Sequence, residues 1–329
     1  MKTVVITGVA GFIGSNLLAE LLRRNFTVIG IDNLSQGFMR NIQVHLNNPN
    51  FQFVKDDVRN FEIMNKITEN ASCIVHLAAF KIPRYGHALD TLWINTKGTE
   101  NILEAARNNG CKAVIASTSD VYGKNPHIPF KEDGDLVIGN PMVKRWSYAV
   151  SKMFDEQLCF AYRDKYGVPI VIMRYFGSYG PNQNLTWWGG PQSVFISAAL
   201  NNKPLEIHGD GQQTRSFTYV SDTIDGTLRC IEDEKAIGEV FNIGNNKEIT
   251  IIDLARLVWR LVCGQSEVKL NFVPYSNFGK YEDVRRRIPD ISKAKKLLQF
   301  EPKVELEEGL IKTIEWQNTM MNKYNLKVA

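Results

Sequence analysis

Tyr148 and Lys152, four residues apart, are the pair in this 329-residue chain best suited to moving a proton. On a helix they share one face, a turn apart. An ammonium beside a phenol favours the phenolate, so Lys152 is expected to lower the pKa of Tyr148. A tyrosine tuned in this way can take a proton from a hydroxyl near neutral pH. The run Ala116-Ser117-Thr118-Ser119-Asp120-Val121-Tyr122-Gly123 adds to it. Thr118 and Ser119 offer hydroxyls that can hydrogen-bond a reacting alcohol, and Asp120 offers a carboxyl at the same strand end.

A second group of residues points to an electron acceptor. The chain opens Lys2-Thr3-Val4-Val5-Ile6-Thr7-Gly8-Val9-Ala10-Gly11-Phe12-Ile13-Gly14. A short apolar strand ends in a turn made by Gly8, Gly11 and Gly14, and a helix starts at Phe12 and Ile13. Glycines let backbone come close to a pyrophosphate, and the helix N-terminus offers free N–H groups and a favourable dipole. About eighteen residues beyond Gly14 the next strand ends in Asp32, where an acid can accept from ribose hydroxyls. An acid there repels a 2′-phosphate, so the expected cofactor is NAD rather than NADP. Its positive nicotinamide ring would act on Tyr148 in the same direction as Lys152.

The elements that must hold these residues alternate along the first half of the chain. Apolar runs at Val4–Ile6, Val28–Ile31, Phe51–Val54, Cys73–Leu77, Ala113–Ala116 and Pro169–Met173 read as buried parallel strands. Helical periodicity covers Phe12–Arg23, Phe61–Glu69, Thr91–Asn108 and Ser147–Tyr166, with Gly110 as a C-terminal cap. This alternation predicts an α/β, Rossmann-type doubly wound parallel sheet, with ligands at the carboxyl ends of the strands. After residue 174 the pattern loosens through a Gly/Pro/Asn/Trp-rich stretch, Gly177–Pro191. Helices are expected near Gln192–Asn201, Ser221–Ile231, Ile252–Cys263, Ser292–Leu298 and Leu306–Gln317, with a strand at Leu205–Ile207. The expected division is a dinucleotide-binding domain, 1–174 plus about 217–244, and a smaller α/β substrate-binding lobe, about 175–216 plus 245–329.

Composition narrows the class. Apolar content of 44% and charged content of 22% are ordinary for a soluble globular protein, and the net charge of +4 is no nucleic-acid signature. No apolar stretch is long enough to span a membrane, and a strand beginning at residue 2 leaves no room for a signal peptide. Cys73, Cys111, Cys159, Cys230 and Cys263 are scattered and read as reduced core residues of a cytoplasmic protein. His45, His87, His127 and His208 show no metal-ligand spacing, and His76 reads as a satisfied interior histidine. Trp187 and Trp188 in a Gly/Pro loop either stack on a base or sugar or pack the core of the smaller lobe.

Taken together, the chain resembles the extended short-chain dehydrogenase/reductase family that modifies nucleotide sugars. The resemblance rests on Thr7–Gly14, Asp32-Asn33-Leu34-Ser35, Asp56-Asp57-Val58, His76-Leu77-Ala78-Ala79, Asn95 with Gly98-Thr99, Thr118, Tyr148 with Lys152, Arg174-Tyr175-Phe176 and Thr214-Arg215-Ser216-Phe217. It implies that the glycine loop, Asp32 and Asn33 hold NAD and that Asp57 and Val58 flank its adenine. Leu77, Ala78, Ala79, Lys81, Tyr148, Lys152 and Tyr175 are expected along the cofactor, with Lys81 reaching the substrate as well. Asn95 is expected at the cofactor site, supporting the active-site helix. Thr118, Tyr148 and Lys152 form the implied proton-handling triad. Arg215 and Arg287 are expected to meet the diphosphate of a nucleotide diphosphate sugar, where fork-shaped guanidinium donors suit phosphate oxygens. Gln192 and Gly177 complete the expected substrate contacts, although relatives usually carry asparagine at the place of Gly177.

The resemblance implies transient oxidation at sugar C4, after which three outcomes compete. A 4,6-dehydratase needs a carboxyl beyond the threonine. Asp120 stands where GDP-mannose 4,6-dehydratases carry glutamate, and it favours 4,6-dehydration as the leading expectation. A 4-epimerase needs no acid there. UDP-glucuronate decarboxylases carry Thr-Ser-Glu and an Arg-x-Pro-Asp run like Arg287-Ile288-Pro289-Asp290, but differ from this chain at Arg145-Trp146-Ser147-Tyr148. A non-catalytic NAD-binding sensor is the remaining alternative, disfavoured by the Tyr148/Lys152 pair. A homodimer through the helices around Asn95–Arg107 and Ser147–Lys165 is implied by the resemblance, and Met153, Phe154, Leu158 and Phe160 suit either that interface or core packing.

Overall fold

The computed structural model describes residues 2–81, 87–278 and 282–324. Its first half alternates β1 (Thr3–Thr7), α1 (Phe12–Arg23), β2 (Thr27–Ile31), β3 (Phe51–Val54), α2 (Phe61–Ile67), β4 (Cys73–His76), α3 (Ala88–Asn109), β5 (Lys112–Thr118), α4 (Trp146–Tyr166) and β6 (Ile170–Tyr175). The second half runs β7 (Ser178–Tyr179), α5 (Pro191–Leu200), β8 (Leu205–His208), β9 (Thr214–Ser216), β10 (Thr218–Tyr219), α6 (Val220–Glu232) and β11 (Val240–Ile243). It ends with β12 (Glu248–Thr250), α7 (Ile251–Cys263), β13 (Leu270–Val273), β14 (Arg286–Arg287), α8 (Ser292–Leu298) and α9 (Leu306–Tyr324).

Seven strands form one sheet in the order β11-β6-β5-β4-β1-β2-β3. All its pairings are parallel. The order reverses between β1 and β4, and a crevice opens at such a reversal beyond the carboxyl ends of the strands. Alternation along β1 sorts its side chains between two layers. Val5 packs with Ile102, Leu103 and Cys159 of α3 and α4, whereas Val4 and Ile6 pack with Leu17 and Leu18 of α1 and Leu228 of α6. The second of these cores continues without a break through Phe195, Leu205, Leu254 and Trp259 of the later elements. Residues 217–244 send β11 back to the main sheet, where Val240–Ile243 pair with Ile172–Tyr175.

Most element ends follow from local chemistry. Gly110 and Gly167 close α3 and α4 in the left-handed conformation, at φ 65° and 70°. Three ends fall earlier than expected. α5 stops one residue short, at Leu200 rather than Asn201. α2 stops at Ile67 rather than Glu69, because the Thr68 hydroxyl donates to the carbonyls of Met64 and Asn65 at 2.8 and 3.0 Å. β4 stops at His76, because the next two amides turn to the Thr7 hydroxyl, at 3.1 Å from Leu77 and 3.2 Å from Ala78. Among the described residues, no helix is long and apolar enough to cross a membrane. On the paired helices α3 and α4, Leu89, Trp93, Val150 and Phe154 stay exposed, while Met153, Leu158 and Phe160 pack onto the cores.

Candidate active site

A cleft of about 510 Å³ runs across the reversal point from Asp57 to Arg287. Gly8, Gly11, Phe12, Ile13 and Gly14 form its floor at one end. The loop tolerates nothing larger than glycine at its tightest points. Gly8 sits at φ 70° with room for a Cβ only 2.9 Å from the Ala78 amide, and a Cβ on Gly14 would fall 2.2 Å from the Gly8 carbonyl oxygen. Gly14→Ala should therefore destabilise the fold by about 1–3 kcal/mol through overpacking. Thermal melts should show a lowered Tm and no further rise on adding NAD.

Asp32 is buried at the end of β2 and accepts from the amides of Ala10 and Leu34 at 3.0 and 2.8 Å. A carboxylate has about four lone-pair sites, so two remain for a sugar diol. Asn33 donates to Asp57 at 2.8 Å beside it. The Arg59 hydrogen bond is the main cause holding the Asp57 carboxyl down at about 2. Val58, Leu77, Ala78, Ala79 and the Tyr175 ring complete this wall. The close-approach glycines, buried acid and apolar walls fit a dinucleotide.

Asn95 does not line the cleft. It is fully buried, accepts from the Phe80 amide at 2.8 Å and donates to the Ser151 hydroxyl at 3.0 Å. It clips the loop after β4 to α4 from behind.

Thr118, Ser119, Tyr148 and Lys152 meet in the middle of the cleft. β5 ends at Thr118, whose hydroxyl accepts from the Asp120 amide at 3.2 Å and which lines the cleft together with Tyr148. The Tyr148 pKa is raised rather than lowered. Desolvation, followed by the charge of Asp120, raises the tyrosine pKa, so its proton is firmly held. Lys152 instead faces Asp155, with Nζ 3.1 Å from Oδ2. His76 lies beneath, bonded to the Thr7 hydroxyl at 2.8 Å and kept neutral by burial and by Lys152.

The far end of the cleft is governed by guanidiniums. β14 pairs with β9 so that Arg287 stands opposite Arg215, which places both side chains on one face of a small three-stranded sheet. Arg287 reaches Asp120 at 2.7 Å, and Arg145, at the start of α4, reaches the same oxygen at 3.4 Å. Burial pushes the Asp120 carboxyl up, but Arg287 and Arg145 more than reverse this and hold it below its usual range. The Nε of Arg287 is buried without a partner among the described residues. Lys81 adds a further cation at the cleft, within reach of the Asp120 charge.

Arg215 falls outside this cleft. It lines an adjoining pocket of about 250 Å³ and pairs with Asp283 at 3.3 Å, whereas Arg287 and Gly177 border both spaces. A Cβ on Gly177 would lie 3.0 Å from the Ser216 carbonyl oxygen and 3.1 Å from the Phe217 ring, so an asparagine there would require these neighbours to give by a few tenths of an ångström. Gln192 is buried at the start of α5, lines the cleft and has an amide nitrogen without a partner among the described residues. Trp187 borders both spaces, stacks on His208 at 4.2 Å and packs against the main core; Trp188 meets Phe80 edge-on at 5.3 Å over the cleft. Sequence reasoning did not assign Arg145, Asp155 or His208 to the site. The signal for the first two was present, since Arg145 and Asp155 lie three residues before and seven after Tyr148, on its helical face.

The chain matches the family model described as GDP-mannose 4,6 dehydratase over residues 5–313. The UDP-N-acetyl-alpha-D-glucosaminuronate decarboxylase of Bacillus cytotoxicus is 37% identical over 325 residues, covering 98% of this chain and 99% of the relative. The UDP-glucuronic acid 4-epimerase of Bacillus cereus, solved with UDP-glucuronic acid and NAD, is similar with a TM-score of 0.87 at 32% identity, covering 97% of this chain and 99% of that one. The dTDP-glucose 4,6-dehydratase of Bacillus anthracis, solved with NAD, also gives 0.87, at 27% identity and 98% coverage of both chains. Sheet order, glycine loop, tyrosine–lysine pair and family match agree: the chain belongs to the GDP-mannose 4,6-dehydratase family, within the extended short-chain dehydrogenases/reductases that modify nucleotide sugars.

Proposed function

We propose that this chain is an NAD-dependent enzyme that decarboxylates a UDP-linked hexuronate. The observation that carries this reading is the ionised Asp120 held by Arg287 and Arg145. Dehydration would ask this carboxyl to remove a C5 proton or to protonate a leaving hydroxyl. A carboxylate committed to two guanidiniums does both poorly. Arg287 and Lys81 line the cleft while Arg145 backs Asp120 from outside it, and the positive charge left over suits a substrate carboxylate. Similarity to a decarboxylase and to an epimerase whose names both specify uronates supports the same substrate class.

Each residue then has a defined task. Tyr148, which lines the cleft together with Thr118, takes the proton of the sugar C4 hydroxyl. NAD bound in the cleft would supply the hydride acceptor for C4 and the hydride donor for the final reduction. The C4 ketone stands β to the uronate carboxylate, so the C5–C6 bond can break with loss of carbon dioxide. Its electron pair moves onto the C4 oxygen, where the Tyr148 hydroxyl can donate to it. C5 then gains a proton from solvent, and once hydride is back on C4 and the Tyr148 proton is back on its oxygen the product is the corresponding UDP-pentose. Arg287 binds and orients the carboxylate while Arg145 stays with Asp120. Arg215 and Gln192 are assigned to the nucleotide part of the substrate.

The direct test incubates the protein with UDP-uronates and with neutral UDP-, dTDP- and GDP-hexoses and follows product mass. Loss of carbon dioxide from a uronate is expected. Loss of water from a neutral sugar would restore dehydration, and an unchanged mass with a new stereoisomer would make the chain a uronate 4-epimerase.

Asp120 also gives a pH prediction. Its folded pKa is depressed, so the stabilising ion pair is complete above the unfolded value, about 3.9, and is lost only as pH falls through the lower folded value. Asp120→Asn should therefore slow turnover while leaving the acid limb of the pH–rate profile above about pH 5 in place. A limb that vanishes in this variant would make Asp120 a working acid or base.

A further inference from the structure

α4 carries three groups in line: Tyr148, Lys152 four residues on, and Asp155 three beyond that. These spacings put all three on one helical face, so the Lys152 side chain can serve a neighbour in either direction. It turns toward Asp155. The two side chains are 2% and 1% exposed, and Nζ lies 3.1 Å from Oδ2. Neither Asp155 oxygen takes an aligned hydrogen bond among the described residues, so the contact is one of charge. Lys152 nevertheless lines the cleft beside Tyr148. The proton chemistry needs its ammonium at the other end of that reach.

We propose that Asp155 is a positioning residue that holds Lys152 away from Tyr148 until a dinucleotide fills the cleft, so that the tyrosine is primed only in the loaded protein. This rests on the reading of the cleft as a dinucleotide site. Hydroxyls of a bound dinucleotide offer the ammonium competing acceptors. A buried ion pair is a weak tie, because desolvation offsets most of the attraction. Once the lysine leaves, the buried carboxylate has no counter-charge and takes up a proton. Burial already raises the Asp155 pKa against the pull of Lys152.

The neighbours leave Asp155 as the group that responds. On its own helix, Glu156 is paired with Arg174 at 2.7 Å, and burial keeps the Cys159 thiol protonated. α3 presents Thr99 to Asp155, and β4 presents His76, already neutral, toward Lys152. Tyr148 and Asp120 lie toward the cleft.

The test is calorimetry of NAD binding in two buffers that differ in ionisation heat. The wild-type protein should take up a proton on binding, and Asp155→Asn should not. Removing the competing partner should also tighten NAD binding about fivefold, as expected when a binding-competent state no longer has to be released. In a Lys152→Met background the same substitution should leave NAD affinity unchanged, because the effect passes through the lysine. Asp155→Ser, read identically, covers a failure of the asparagine variant to fold. Equal proton uptake with and without Asp155, or an NAD affinity indifferent to it, overturns the proposal. Absence of NAD binding in the wild-type protein would overturn the cofactor reading and this proposal with it.

Discussion

Tyr148→Phe should lower turnover about a thousandfold, the scale expected for loss of a positioned proton acceptor. The substitution removes one oxygen and keeps the ring, so fold and NAD affinity should match those of the wild-type protein. Thr118 cannot take over, because an aliphatic hydroxyl is far too weak an acid to cycle a proton near neutral pH. In the cofactor-free protein, desolvation and the charge of Asp120 raise the Tyr148 pKa. A raised pKa keeps the neutral form across the physiological range, so activation must come from positive charge arriving with the cofactor and from a redirected Lys152. Single-turnover measurement of reduced nicotinamide is the decisive readout, since it isolates the C4 oxidation from later steps. A variant that reduces NAD at the wild-type rate would remove Tyr148 from the proton path.

The parts of this site that sit close together in sequence were legible in it. Gly8–Gly14 with Asp32, and Tyr148 with Lys152, are local patterns on a strand–turn–helix and on one helix, and the structure brings them to one cleft. The strand and helix alternation was readable because each run is long enough to show its period. β9 and β14 were not, since three- and two-residue strands carry no period. Yet that pairing sets Arg287 beside Arg215 and aims it at Asp120, which lies 167 residues earlier. The direction of Lys152 was hidden for a different reason. Helical spacing offered it Tyr148 and Asp155 equally, and the choice depends on burial that only the packed α3–α4 layer creates. Asn95 shows the same limit. A buried amide clipping Phe80 to Ser151 cannot be told from a ligand contact by position alone.

Arg287→Gln separates the two roles open to this guanidinium. The family resemblance assigns it to the substrate diphosphate, whereas the structure places it on Asp120, at the end of the cleft away from Asp57 and at the border with the adjoining pocket. If it receives the uronate carboxylate, turnover of a UDP-uronate should fall about a hundredfold or more, within the range for truncating one partner of a buried charge pair. Binding of UDP itself should be unchanged. If it receives the diphosphate, UDP affinity should fall in step with turnover. Arg287→Lys should recover little in either case, because an ammonium lacks the forked donors that engage a carboxylate or phosphate. Asp120 remains beside Arg145 at 3.4 Å in the variant, so the carboxylate keeps one counter-charge and the fold should survive the exchange. Parallel titrations with UDP and with the UDP-uronate therefore read out where on the substrate Arg287 acts: spared UDP binding places it on the uronate carboxylate, and lost UDP binding returns it to the phosphates.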